Sequence, residues 1–127
     1  MNDEITSVRY IVDDVEACTA FYIEHFGFEL GTNAPPAFAE VLRGSLRLLL
    51  SGPLSSGGRP LPDGRVPTPG GWNRLHFVVD DLPREVERLR AAGIEFRSDT
   101  ISGPGGSQIV LDDPSGNPIE LFQPAGH

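Results

Sequence analysis

The sequence predicts an α+β fold of two tandem βαβββ modules within one domain, residues 1–127. Three observations predict it. A segment near the start is echoed near the middle, each copy runs from a β-rich stretch through an aspartate pair into a helical pattern, and short strand-like runs follow each helix. Module one takes 4–51, a linker or loop 52–71, and module two 72–124.

VRYIVDDVEACTAFYIEHFGFEL is the first copy and LHFVVDDLPREVERLRAAGIEF the second, with Asp14 and Asp81 standing 67 positions apart. In each, a run rich in branched and aromatic residues (Val8 to Val12, Leu75 to Val79) ends on Asp-Asp. There a carboxylate accepts from the free amides that open a helix. Val15, Cys18 or Thr19, Tyr22 and Phe26 then recur at helical spacing, as do Leu82, Val86 and Leu89. Pro83 falls in the first turn, where a missing amide costs little, and Gly27 and Gly93 sit where a left-handed residue ends a helix. Strands are expected at Phe28–Leu30, Phe38–Leu42 and Leu46–Leu50, and again at Ile94–Phe96, Ser107–Leu111 and Pro118–Gln123. Asp112 to Asn117 is dense in turn formers. One such module buries too little apolar surface to stand alone, so two should pack with their sheets curving about a shared concavity. Gly52 to Gly71, crowded with Gly and Pro, reads as the connection between modules.

Composition narrows the function classes. A formal charge of −8 disfavours a nucleic-acid partner, whose binding needs clustered cations. No apolar run approaches the roughly 20 residues that cross a bilayer, and no basic-then-apolar leader opens the chain, so no membrane partner is expected. A lone Cys18 excludes an internal disulfide and fits a reducing, cytoplasmic setting. It lies within the first helix, and nothing marks it as an activated nucleophile. The glycines of Ser102 to Ser107 lack the Lys-Ser/Thr ending of a phosphate-binding loop.

Val12-Asp13-Asp14 through Phe21-Tyr22 to Phe26-Gly27-Phe28 resembles the helix-one signature of the vicinal-oxygen-chelate superfamily, the glyoxalase/bleomycin resistance/extradiol dioxygenase proteins. Asp112-Asp113-Pro114-Ser115-Gly116-Asn117-Pro118-Ile119-Glu120-Leu121 resembles its closing signature. The resemblance implies paired βαβββ modules forming an open half-barrel, commonly as a homodimer. It also implies, in the catalytic members, a divalent metal held by a His seven residues before each cap aspartate and a Glu on each last strand. Those positions here are Ser7, Arg74, about Leu48, and Glu120. Only Glu120 has the chemistry of a ligand, so no metal or other cofactor is expected. If a divalent metal were present, His76 and Glu120 would hold it.

By strand alternation Ser7, Arg9 and Ile11 share one face with Trp72, Arg74, His76 and Val78. With Leu46, Leu48, Leu50, Glu120 and Phe122 they compose a mostly apolar pocket with a few polar anchors. The ligand-binding set is therefore Ser7, Arg9, Leu48, Trp72, Arg74, His76, Glu120 and Phe122, with no catalytic residue assigned. An ion pair between Arg74 and Glu120 is expected where the metal would sit. His25 at a helix end and His127 at the terminus carry no expected role. The resulting expectation is a protein close to the bleomycin-resistance branch, sequestering a hydrophobic, aromatic compound such as an antibiotic. The alternative is a metal-dependent enzyme of glyoxalase or dioxygenase type acting on a small oxygenated substrate. A third reading is a metal-free lyase or isomerase with His76 or Glu120 as general base.

Overall fold

The structure, a computed structural model, describes residues 4–126. Two compact units make up the chain, one running through Gly70 and including Pro114–Asn117, the other comprising Gly71–Asp113 and the chain from Pro118 on. The sequence alone puts the Pro114–Asn117 turn in module two; in the structure it packs with the first unit. Ser115 Oγ accepts from the Asp13 amide at 2.9 Å and lies 3.3 Å from the buried Cys18 Sγ. The Asn117 amide group donates to Ile11 O at 2.7 Å and accepts from Gly70 N at 2.9 Å.

In the first unit β1 (Thr6–Ile11) leads to α1 (Val15–Phe26), then β2 (Glu29–Ala34), β3 (Phe38–Arg43) and β4 (Leu46–Ser51). Asp14 caps α1 by accepting from Ala17 N at 3.0 Å, and Gly27 ends it at φ 69°, a left-handed conformation that a β-carbon disfavours. The sheet order is β1-β4-β3-β2, with β1 parallel to β4 and the other pairs antiparallel. α1 lies over it and buries Val15, Cys18, Phe21, Tyr22 and Phe26 against Tyr10, Val41, Leu48 and Leu50.

The second unit repeats the pattern with β5 (Leu75–Val78), α2 (Leu82–Ala91), β6 (Ile101–Gly103), β7 (Gly106–Asp112) and β8 (Pro118–Pro124) in the order β5-β8-β7-β6. Asp81 caps α2 through Arg84 N at 3.1 Å, and Leu82, Val86 and Leu89 are buried. One expected strand is displaced. Ile94–Phe96 contributes a single bridge from Phe96 to Leu111, and the outer strand forms later, at β6. The cause is local. Arg97 N bonds to Val110 O at 2.8 Å, but its side chain is drawn to Asp112, and the polar Ser98–Thr100 stretch leaves the sheet before Ile101 rejoins it.

Candidate functional site

In the second unit the strand register decides which side chains meet. β5 and β8 run parallel with His76 opposite Glu120 and Val78 opposite Phe122, while Val110 of β7 lies across from Glu120. Alternation sends Leu75, Ile119 and Leu121 into the core, and sets Arg74, His76, Glu120 and Phe122 on the other, open face.

On that face Glu120 is the fixed point, its side chain 8% exposed. Arg74 Nε and Nη2 both lie 2.9 Å from its Oε1, and His76 Nε2 lies 3.3 Å from Oε2. Arg74 Nη1 donates to Trp72 O at 3.2 Å, and the His76 ring rests 5.1 Å from the Phe122 ring. Beside them Arg97 places its guanidinium 4.5 Å from the centre of the Trp72 ring, binds Asp112 Oδ1 at 2.6 Å, and donates to Gly71 O at 2.9 Å. Trp72 stays 70% exposed. The result is a row of paired charges edged by aromatic surface, with the expected Arg74–Glu120 ion pair formed. Arg97 and Asp112 escaped the sequence reading, because 15 residues separate them and no periodicity links them.

The first unit departs from expectation at β4. Ser7 pairs with Arg47, Val8 with Leu48 and Arg9 with Leu49. Leu48 therefore shares the buried face with Tyr10 and is 0% exposed, as is Leu50; neither stands beside Ser7 and Arg9. A register offset of one residue moves every side chain to the opposite face. The true counterpart of Glu120 is Leu49, since each faces a first-strand residue (His76, Arg9) at matching places in the repeat. Arg47, unassigned from sequence, donates from Nε to Ser7 Oγ at 2.8 Å and lies 3.6 Å from Glu40 Oε2.

These donors do not fit a divalent metal. Ser7 is spent on Arg47, Leu49 has no donor atom, and Arg74 brings a permanent cation onto Glu120. At about 4 Å and an effective dielectric near 20, each unit of metal charge would meet repulsion of roughly 4 kcal/mol from that guanidinium. Among the described residues no three His, Cys, Asp or Glu gather into a ligand group. His25 lies 3.8 Å from Glu24 and edge-on to Phe21, while His127 lies outside the described residues.

A cavity of about 1100 Å³ in the second unit lies elsewhere, beside α2 and the ends of β6, β7 and β8. On its wall the Ser102 and Ser107 hydroxyls bond each other at 2.8 Å, and Gln123 Oε1 accepts from Leu82 N at 2.7 Å.

A sheet-and-helix unit repeated within one chain, in these two strand orders, is the fold that the two signatures imply. The model of the Glyoxalase/Bleomycin resistance protein/Dioxygenase superfamily matches residues 4–121, and the chain belongs to that superfamily. A lactoylglutathione lyase from Agrobacterium tumefaciens is similar in structure at 26% identity, with 96% of this chain and 94% of that one covered and a TM-score of 0.72. TnmS3, an antibiotic binding protein from Streptomyces sp. CB03234, is similar at 26% identity, with 96% of each chain covered and a TM-score of 0.71. A superfamily member from Sphaerobacter thermophilus gives 25% identity, 94% and 95% coverage and a TM-score of 0.74. No curated protein matches. The superfamily thus holds both antibiotic binders and lyases, and among the described residues no helix is long and apolar enough to cross a membrane.

Proposed function

We propose that this protein binds and sequesters a hydrophobic, aromatic small molecule, such as an antibiotic, without a metal and without turnover. The observation that carries the reading is the Arg74 guanidinium on Glu120 Oε1, at the single position where a metal-binding carboxylate remains. Exposed Trp72 and the His76–Phe122 ring pair supply flat surface for a planar ligand. Similarity to an antibiotic binding protein over nearly the whole chain supports the same reading. The reading carries with it a cytoplasmic homodimer, which light scattering on the purified protein checks.

Trp72 is the single tryptophan, so its emission is a direct probe. Titration with a panel of planar aromatic antibiotics should quench it saturably and raise the melting temperature, with the compound recovered unaltered by mass spectrometry. Recovery of a converted compound would overturn the proposal, as would stoichiometric metal that is lost on Glu120→Gln. One contact favours the alternative, a metal-dependent enzyme of glyoxalase or dioxygenase type: His76 lies 3.3 Å from Glu120, so the two groups that would hold the metal are already together. Turnover of a small oxygenated substrate, abolished by His76→Asn, would establish it.

A further inference from the structure

Arg9 carries a charge that nothing in the first unit answers. It lies in β1 on the face away from α1, two residues after Ser7, and is exposed. Its counterpart in the repeat, His76, faces Glu120 across the parallel ladder; Arg9 faces Leu49. Among the described residues the Arg9 side chain forms no hydrogen bond or ion pair. Arg59 and Arg84 are unpaired as well, but they extend from the exposed 52–71 segment and the exposed surface of α2. Arg9 instead stands on a sheet, walled on one side.

That wall is Gly57. A methyl group on its α-carbon would collide with Arg9 Nη1 and come within 2.7 Å of Arg9 Cδ, so the backbone passes directly against the side chain. The loop holding Gly57 is built for the approach. Gly52 N bonds to Ala37 O at 2.8 Å, buried Ser55 donates from Oγ to Gly52 O at 2.7 Å, and Gly58 N returns to Ser55 Oγ at 3.0 Å. The start of the connection between modules thus packs its backbone against the Arg9 side chain. Along the strands Arg47 is answered by Ser7 and Glu40, which leaves the Arg9 charge in excess in a chain of net charge −8.

We infer that Arg9, Leu49 and the Gly57 wall form a binding site in the first unit for a monocarboxylate carrying an apolar body. One guanidinium offers a planar fork that a carboxylate matches in two hydrogen bonds. A phosphate dianion would need a second cation, and the neighbouring one, Arg47, is already held by Glu40, which lies opposite Leu49 in the sheet. Leu49 across the ladder and Ile11 on the same strand face give the apolar body its contact. The inference concerns Arg9, one of the positions assigned to ligand binding from the sequence, and does not rest on aromatic binding at Trp72.

The probe is benzoate, with benzamide as its uncharged counterpart, titrated into isotope-labelled protein while the backbone amide resonances are followed. Benzoate should shift the Gly57, Arg9 and Leu49 resonances saturably and benzamide should not. Arg9→Gln should weaken benzoate at least tenfold, whereas Arg84→Gln should leave it unchanged. Gly57→Ala keeps the charge but displaces the side chain, and should weaken binding with the fold intact by circular dichroism. Equal shifts with benzamide, unchanged affinity in Arg9→Gln, or an equal loss in Arg84→Gln would each overturn the site. Loss of antibiotic binding at Trp72 with benzoate binding retained would sink only the earlier reading.

Discussion

Replacing Arg74 by Met removes the guanidinium and keeps the apolar length of the side chain, so it isolates what the ion pair does for the fold. Glu120 would then keep a buried carboxylate with Oε1 stripped of two nitrogen contacts at 2.9 Å. Breaking a buried pair this way costs about 3–5 kcal/mol. Arg74 is 26% exposed and His76 stays 3.3 Å from Oε2, so the expected loss falls to about 2 kcal/mol. Glu120→Leu should cost less, about 1 kcal/mol, because the freed guanidinium reaches water. The double variant recreates the apolar choice made at Leu49 and should lie within about 0.5 kcal/mol of the parent. The coupling between the two sites is then roughly 3 kcal/mol. Urea unfolding followed by Trp72 emission reads all three, since Trp72 lies in the same unit; a loss of about 2 kcal/mol moves the midpoint by about 1 M. Arg74→Met unfolding at the parent midpoint, or a double variant as weak as the two singles together, would refute the reasoning.

Two further substitutions test the register and the metal argument. Leu48→Ala should destabilise by about 2–4 kcal/mol because the side chain is fully buried, whereas Leu49→Ala on the open face should cost under about 1 kcal/mol; chemical denaturation separates them, and equal losses would contradict the assigned register. Arg74→His exchanges the repelling cation for an imidazole beside His76 and Glu120, so calorimetry should find zinc bound at least about tenfold more tightly than by the parent chain. No gain would mean that the guanidinium is not what excludes the metal.

The elements that were legible in the sequence are those whose signals are local. Asp14 and Asp81 announce helix starts because the capping bond reaches only three residues ahead, and the buried faces of both helices follow from 3.6-residue spacing. β4 was illegible for a specific reason. Its positions 46, 48, 49 and 50 are all Leu, so alternation does not say which set faces α1, and only the pairing of Val8 with Leu48 fixes it. The outer strand of the second unit was misplaced because only Phe96 and Arg97 reach β7, through the Phe96–Leu111 bridge and the Arg97 amide, before the polar Ser98–Thr100 stretch leaves the sheet. The Arg74–Glu120 pair was legible because the closing signature fixes the position of Glu120 and the repeat fixes that of Arg74. The Gly57 approach to Arg9 was not, since a glycine in a Gly-rich segment carries no mark of what passes beside it.

The repeat allows each charged residue to be weighed against its counterpart, and the two arginines then part company. Arg74 has a structural reason to exist: Glu120 is buried, and without a cation its carboxylate would be costly to keep. Arg9 has no such reason. Its ladder partner is Leu49, it is exposed, and no carboxylate or carbonyl holds it, so its removal should change stability by no more than about 0.5 kcal/mol. A guanidinium without a charge partner, with a glycine loop packed against it, is what the proposed carboxylate site of the first unit would use. The same loop argues against a purely incidental cation, because Ser55 and Gly58 bring the backbone nearer to Arg9 than a freely solvated side chain requires. The two variants therefore separate the roles: Arg74→Met should lose stability, and Arg9→Gln should lose a ligand.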